Sequence, residues 1–156
     1  MLLRLIHVAQ VGIAIYGAMQ SQVAISNLLK YEDATKKLAK FSSEAEKQLH
    51  RTRTTQASGA AALFVSFIAS VLLGLWGSSY GFLVRYLASP VIALGMFAAK
   101  IHLQDFWGKD GSVKVPLPKM EGYNEAMDKT REVMNVLGWL TIAWAAGSVM
   151  ALFEGY

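Results

Sequence analysis

The chain has 156 residues, 54% of them hydrophobic and 17% charged, with a net charge of +4 and no cysteine. A soluble domain has roughly 45–50% apolar and about 25% charged residues, so the apolar excess, gathered in four blocks, points to membrane spans and away from an enlarged soluble core. The missing cysteines exclude disulfides, thiolate catalysis, iron–sulfur ligation and cysteine zinc sites, and the length fits one domain.

The first block, Leu5 to Leu29, follows a single charge, Arg4. It is longer than a signal-peptide apolar region of about 7–15 residues, and it contains Gln10, Gln20 and Gln22, so it reads as a retained span. At heptad spacing it carries His7, Gln10, Ala14, Gly17, Ser21 and Ala24. This small-and-polar stripe is expected to face other helices, and the Ile, Val and Leu faces to meet lipid. Lys30 to Gln56 is hydrophilic and basic, with apolar residues at helical spacing from Tyr31 to Leu49 and no Gly or Pro. We expect a long basic amphipathic helical connector there, extending both neighbouring spans, broken at Ser42-Ser43, and suited to anionic headgroups.

The second span, Ala57 to Gly77, has no charge and no proline and is long enough to cross a bilayer. Ser58, Ala62, Ser66, Ser70 and Gly74 recur at every fourth position. Residues four apart form one ridge on a helix, and small ridges let helices approach closely in lipid. Ser78 to Gly81 reads as a tight hairpin.

The third span, 80–103, has an uncharged interior from Tyr86 to Ala99. At 1.5 Å per residue that is about 21 Å, so Arg85 and Lys100 are expected near opposite interfaces. Pro90 removes the helical partner of the Tyr86 carbonyl. Gln104 to Thr130 reads as loop through its Gly and Pro residues, extended at Val113–Val115 and polyproline-like at Pro116–Pro118, with helix restarting near an Asn124 N-cap. The fourth span, 131–153, carries Asn135, Gly138, Thr141, Ala145 and Ser148 on one side, with Trp139 and Trp144 deep within it.

Four spans place both termini on one side of the membrane. Of fifteen Lys and Arg, only Arg4 and Arg85 fall on that side; the other thirteen flank or occupy the segments 30–56 and 104–130. Basic residues are retained on the cytoplasm-like side, so the termini are expected to be exoplasmic or luminal. This distribution explains the positive charge without nucleic acid, and no nucleic-acid motif is present.

No cofactor or metal motif appears, and His7 and His102 are expected at opposite ends of the spans. His102, Gln20, Gln56 and Asn135, with Asn27, Thr55 and Ser58, fall at the cytoplasm-like ends. Facing inward, they form a polar vestibule in which His102 accepts a proton and the amides bind a carbonyl of a lipophilic substrate. The layout resembles the four-helix microsomal glutathione-transferase-like proteins in topology. Their Arg…Asn…Glu-Tyr pattern is not matched here, where Arg53 is followed by Thr54-Thr55-Gln56-Ala57-Ser58.

The expected fold is therefore an all-α membrane protein, four transmembrane helices in an antiparallel bundle. The expected function is that of an accessory or assembly subunit acting through helix contacts, with Ser58, Ala62, Ser66, Ser70, Gly74, Gly17, Ser21 and Gly138 as packing residues. Its expected partners are membrane lipids and other membrane subunits or further copies of itself. The alternative is a small membrane enzyme acting at the vestibule.

Overall fold

The computed structural model describes residues 1–40, 43–108 and 121–155. All regular structure among them is helical: α1 (Leu2–Ala39), α2 (Ser43–Trp76), one 3-10 turn (Gly77–Ser79), α3 (Phe82–Trp107) and α4 (Glu121–Glu154). All four α-helices are long and apolar enough to cross a membrane. The apolar surface points outward: Phe64, Phe82, Leu94 and Leu152 are each at least 66% exposed. Such large exposed apolar side chains, on four helices long and apolar enough to span, suggest an integral membrane protein.

The helices outrun the apolar blocks. Hydropathy marks what lipid would hold, whereas a helix continues until a residue stops it. After Leu29 the chain offers Lys, Glu, Ala and Leu, good helix formers, and Lys36 pairs with Glu32 one turn back at 2.6 Å. The basic connector is consequently not a separate element but the overhang of α1 and α2, which end and start at Ala39 and Ser43. α4 begins ten residues before the expected span, at Glu121, so Asn124 lies inside its first turn and does not cap it. α3 occupies 82–107, displaced toward the C-terminus from the expected 80–103, and runs through Pro90. Between α2 and α3, Tyr80 is extended and its N–H bonds the Gly77 carbonyl at 3.3 Å, while Arg85 donates to the Ser78 carbonyl. The expected breaks at Ser42 and from Val113 to Pro118 lie outside the described residues.

α1 packs against α2 and α4, and α3 against the same two helices. Buried positions alternate at steps of three and four. Along α2 the seam runs through Gln56, Gly59, Leu63, Ser66, Ser70 and Leu73 to Gly77 in the turn, with Thr55 buried beside it, and along α4 through Ala126, Thr130, Val133, Leu137, Leu140, Trp144, Gly147 and Ala151, with Met134 and Val136 buried beside it. A mean step of 3.5 keeps one seam facing its neighbours over the whole length, the geometry of left-handed helix packing. The six stripe residues of α1 are all buried in the same register.

This register revises two expectations. A four-residue step advances about 400°, so a ridge at that spacing drifts about 40° per step off a straight face. Ser66 and Ser70 lie in the seam, while Ser58, Ala62 and Gly74 are only half-buried. On α4 the side named from Asn135, Thr141 and Ala145 is not the inner one: Asn135 and Ala145 are exposed, and the buried face passes through Val133, Leu140 and Trp144. Closest approach occurs at Gly17, where a Cβ would stand 2.6 Å from Val136 and 2.7 Å from Leu63. On the half-buried Gly138 lies the Lys100 ammonium, 3.0 Å from where a Cβ would be.

Candidate functional site

Polar side chains inside the seam gather in two layers. The first lies toward the end where Met1 meets Glu154. His7 Nδ1 and Gln10 Oε1 are 2.8 Å apart, one helical turn along α1. The Ser70 hydroxyl reaches both Gln10 Oε1, at 3.2 Å, and the Ser66 carbonyl, at 2.7 Å. Trp144 donates its indole N–H to Ser66 Oγ at 2.9 Å, and its ring meets that of His7 with centroids 5.7 Å apart. Three helices are thereby joined. Gln10 Nε2 is buried and makes no hydrogen bond among the described residues.

The second layer lies fourteen residues back along α2 from Ser70 to Gln56, about 21 Å, and joins all four helices in pairs. Trp107 of α3 donates to Thr55 of α2 at 2.9 Å. Gln56 Nε2 donates to Thr130 Oγ1 of α4 at 2.8 Å, and Thr130 in turn donates to the Ala126 carbonyl. Asn27 of α1 donates to Glu125 of α4 at 2.8 Å and accepts from Lys30 at 3.1 Å. Beyond this layer Glu32 is held by both Arg53 and Lys36. The Arg53 hydrogen bond, then that of Lys36, keep its carboxyl below the usual glutamate range.

The candidate vestibule residues are distributed over different faces. Gln56 is buried and turned to Thr130. His102 and Asn135 are exposed, and Gln20 is half-buried. Asn135 instead lines an outer cleft of about 600 Å³ between α1 and α4, with Gly12, Tyr16, Glu132 and Trp139. His7 and His102 are on separate helices near opposite ends: His7 lies against Gly74, and Leu103, beside His102, lies against Gly59, fifteen residues or about 22 Å along α2. Among the described residues, no three His, Asp or Glu side chains are grouped to hold a metal.

The sequence reading did not single out Thr130, Trp107 or Glu125 as polar partners. A Trp needs an acceptor for its N–H when buried, and that need was the available signal for Trp107. Thr130 sits in the heptad register of α4, which becomes visible only once the register is placed on Val133 and Leu140. A second groove, between α1 and α2, opens outward along Ala14, Ala18, Ser21, Leu63 and Phe67, with a volume of about 600 Å³. It is continued by a narrower stretch of about 190 Å³ past Ile25 to Thr52, Arg53 and Glu32.

Comparison with protein-family models, curated proteins and solved structures finds no match to this chain.

Proposed function

We propose that the four helices cross a membrane as an antiparallel bundle. Both termini are then exoplasmic or luminal, and the overhangs of α1 and α2 stand on the cytoplasm-like side. In this reading the protein is an accessory or assembly subunit that works by packing against another membrane protein. The observation that carries it is the Asn135 amide, exposed on the outer α1–α4 face one helical turn into the apolar block that follows Arg131. An amide facing hydrocarbon is unfavourable, and a partner helix offering a polar group removes that cost. Gly12 lines the same cleft, and a Cβ there would meet nothing within 4 Å, so a neighbouring backbone can approach.

Purification of the wild type and of Asn135→Leu in mild detergent tests this reading. The wild type is expected to carry a second polypeptide in fixed proportion, and Asn135→Leu to lose it while remaining monodisperse. A wild type that elutes as a lone 17.1 kDa chain, or a variant that keeps its partner, overturns the proposal. Recovery of two identical chains replaces the foreign partner with a second copy.

A further inference from the structure

We propose that the groove between α1 and α2 is a binding site for one anionic phospholipid. The acyl chain would lie along Ala14, Ala18 and Phe67, and the headgroup beside Arg53. The proposal rests on the membrane-spanning reading above but not on the partner at the α1–α4 face.

Ser21 is the first observation. It is 97% buried on the α1 side of this groove, and its hydroxyl makes no hydrogen bond among the described residues. Serine and threonine in apolar helices ordinarily donate to the carbonyl one turn back. Thr55, Ser70, Thr130, Thr141 and Ser148 all do so here. Ser21 is left with a donor at the groove, where an ester oxygen would accept it.

The second observation is how the lining changes along the groove. From Ala14 to Met19 and across to Phe67 it is apolar. From Ser21 through Gln22 and Ser26 to Glu32, about 16 Å of helix, polar groups recur. This order, chain then ester then head, is that of a phospholipid lying parallel to its neighbours in one leaflet.

Charge is the third. At the polar end two cations, Arg53 and Lys36, share the carboxylate of Glu32, so among these described side chains positive charge is in excess at the mouth. Arg53 keeps about half of its side chain exposed, so its guanidinium can reach a phosphate. Arginine beside a phosphate offers paired donors in a fixed fork. On the cytoplasm-like side such basic groups meet the leaflet in which anionic lipids are concentrated.

Native mass spectrometry of the detergent-purified protein, titrated with phosphatidylglycerol or phosphatidylcholine of matched chains, tests the site. The wild type is expected to hold one phosphatidylglycerol, at least about fivefold more tightly than phosphatidylcholine. Ala18→Phe fills the groove and is expected to weaken binding at least about tenfold. Ser21→Ala, which changes no packing, is expected to weaken it about two- to tenfold, the loss of one hydrogen bond. Leu94→Phe, on the exposed face of α3, is the control and retains wild-type binding. Equal binding by Ala18→Phe and wild type overturns the proposal, as does equal binding of the two lipids. So does a wild-type dimer that Ala18→Phe converts to monomer, because a second copy then fills the groove. Scoring the co-purifying polypeptide in the same samples separates the two readings: lipid lost with partner retained supports this site, and partner absent with lipid retained contradicts the subunit reading alone.

Discussion

The two buried polar layers use the same kinds of side chain and close differently. In the layer at Gln56 the amide N–H meets Thr130 Oγ1, and the Thr130 hydroxyl passes its own proton to a backbone carbonyl. In the layer at Gln10 the amide oxygen lies 2.8 Å from His7 Nδ1 and 3.2 Å from a Ser70 hydroxyl that also reaches the Ser66 carbonyl with its one proton, while the amide nitrogen is buried without a hydrogen bond among the described residues. A satisfied buried network adds specificity and rigidity, whereas a half-satisfied one carries a desolvation penalty. The comparison teaches that burial of glutamine in a helical seam has no fixed sign. Its effect depends on whether both ends of the amide are met.

The largest effect is expected where the Gln10 layer touches the apolar core. Trp144 is fully buried and donates to Ser66. Trp144→Ala leaves a cavity and an unmet hydroxyl, and is expected to cost about 3–5 kcal/mol in stability, read as the midpoint of unfolding in mixed detergent. The two glutamines come next and sharpen the contrast directly. Gln56→Leu breaks the link from α2 to α4 and is expected to cost about 0.5–1.5 kcal/mol. Gln10→Leu removes the unmet nitrogen together with the amide oxygen beside His7 and Ser70, and Ser70 keeps its bond to the Ser66 carbonyl, so its cost in the same assay is expected to be smaller than that of Gln56→Leu. A larger loss for Gln10→Leu would reverse the ranking of the two layers.

How much of this was legible from residues alone depends on the helix. α1 announces its seam, because its small and polar residues fall at heptad spacing and contrast with bulky aliphatic neighbours. α4 does not. Its inner face is Val133, Leu137, Leu140 and Trp144, as apolar as its outer face of Ile142, Val149 and Leu152. In a membrane chain core and lipid surface share one composition, so hydropathy marks the span and leaves its rotation open. Asn135 and Thr141 drew the reading about a quarter-turn or more away from the buried face. On α2 the small-residue ridge located Ser66 and Ser70, and drifted from the seam toward both ends for the geometric reason given above. The polar pairings Trp107–Thr55 and Gln56–Thr130 join residues 52 and 74 apart in sequence, and no local pattern links them.

The smallest effect belongs to the overhangs, outside both layers. Glu32 has a lowered pKa because Arg53 and Lys36 favour its charged form. A lowered folded-state pKa gives stability that is present above the unfolded value, about 4.3, and is lost as pH falls through the folded value. Glu32→Gln is therefore expected to lower the unfolding midpoint slightly at pH 7 and to approach wild type as the pH falls into the acid range. The shift should shrink in high salt, since the pair faces solvent.

On the proposed membrane-spanning reading the two ends of α2 stand on opposite sides of one membrane, and accessibility across a sealed bilayer tests that directly. The wild type has no cysteine, so single cysteines can be placed at Lys47, on the α2 overhang, and at Ser79, in the turn before α3, both exposed positions. In right-side-out vesicles an impermeant thiol reagent is expected to label Ser79→Cys at once and Lys47→Cys only after lysis. Labelling of both cysteines before lysis would mean that α2 does not cross the membrane, and labelling of Lys47→Cys alone would invert the orientation.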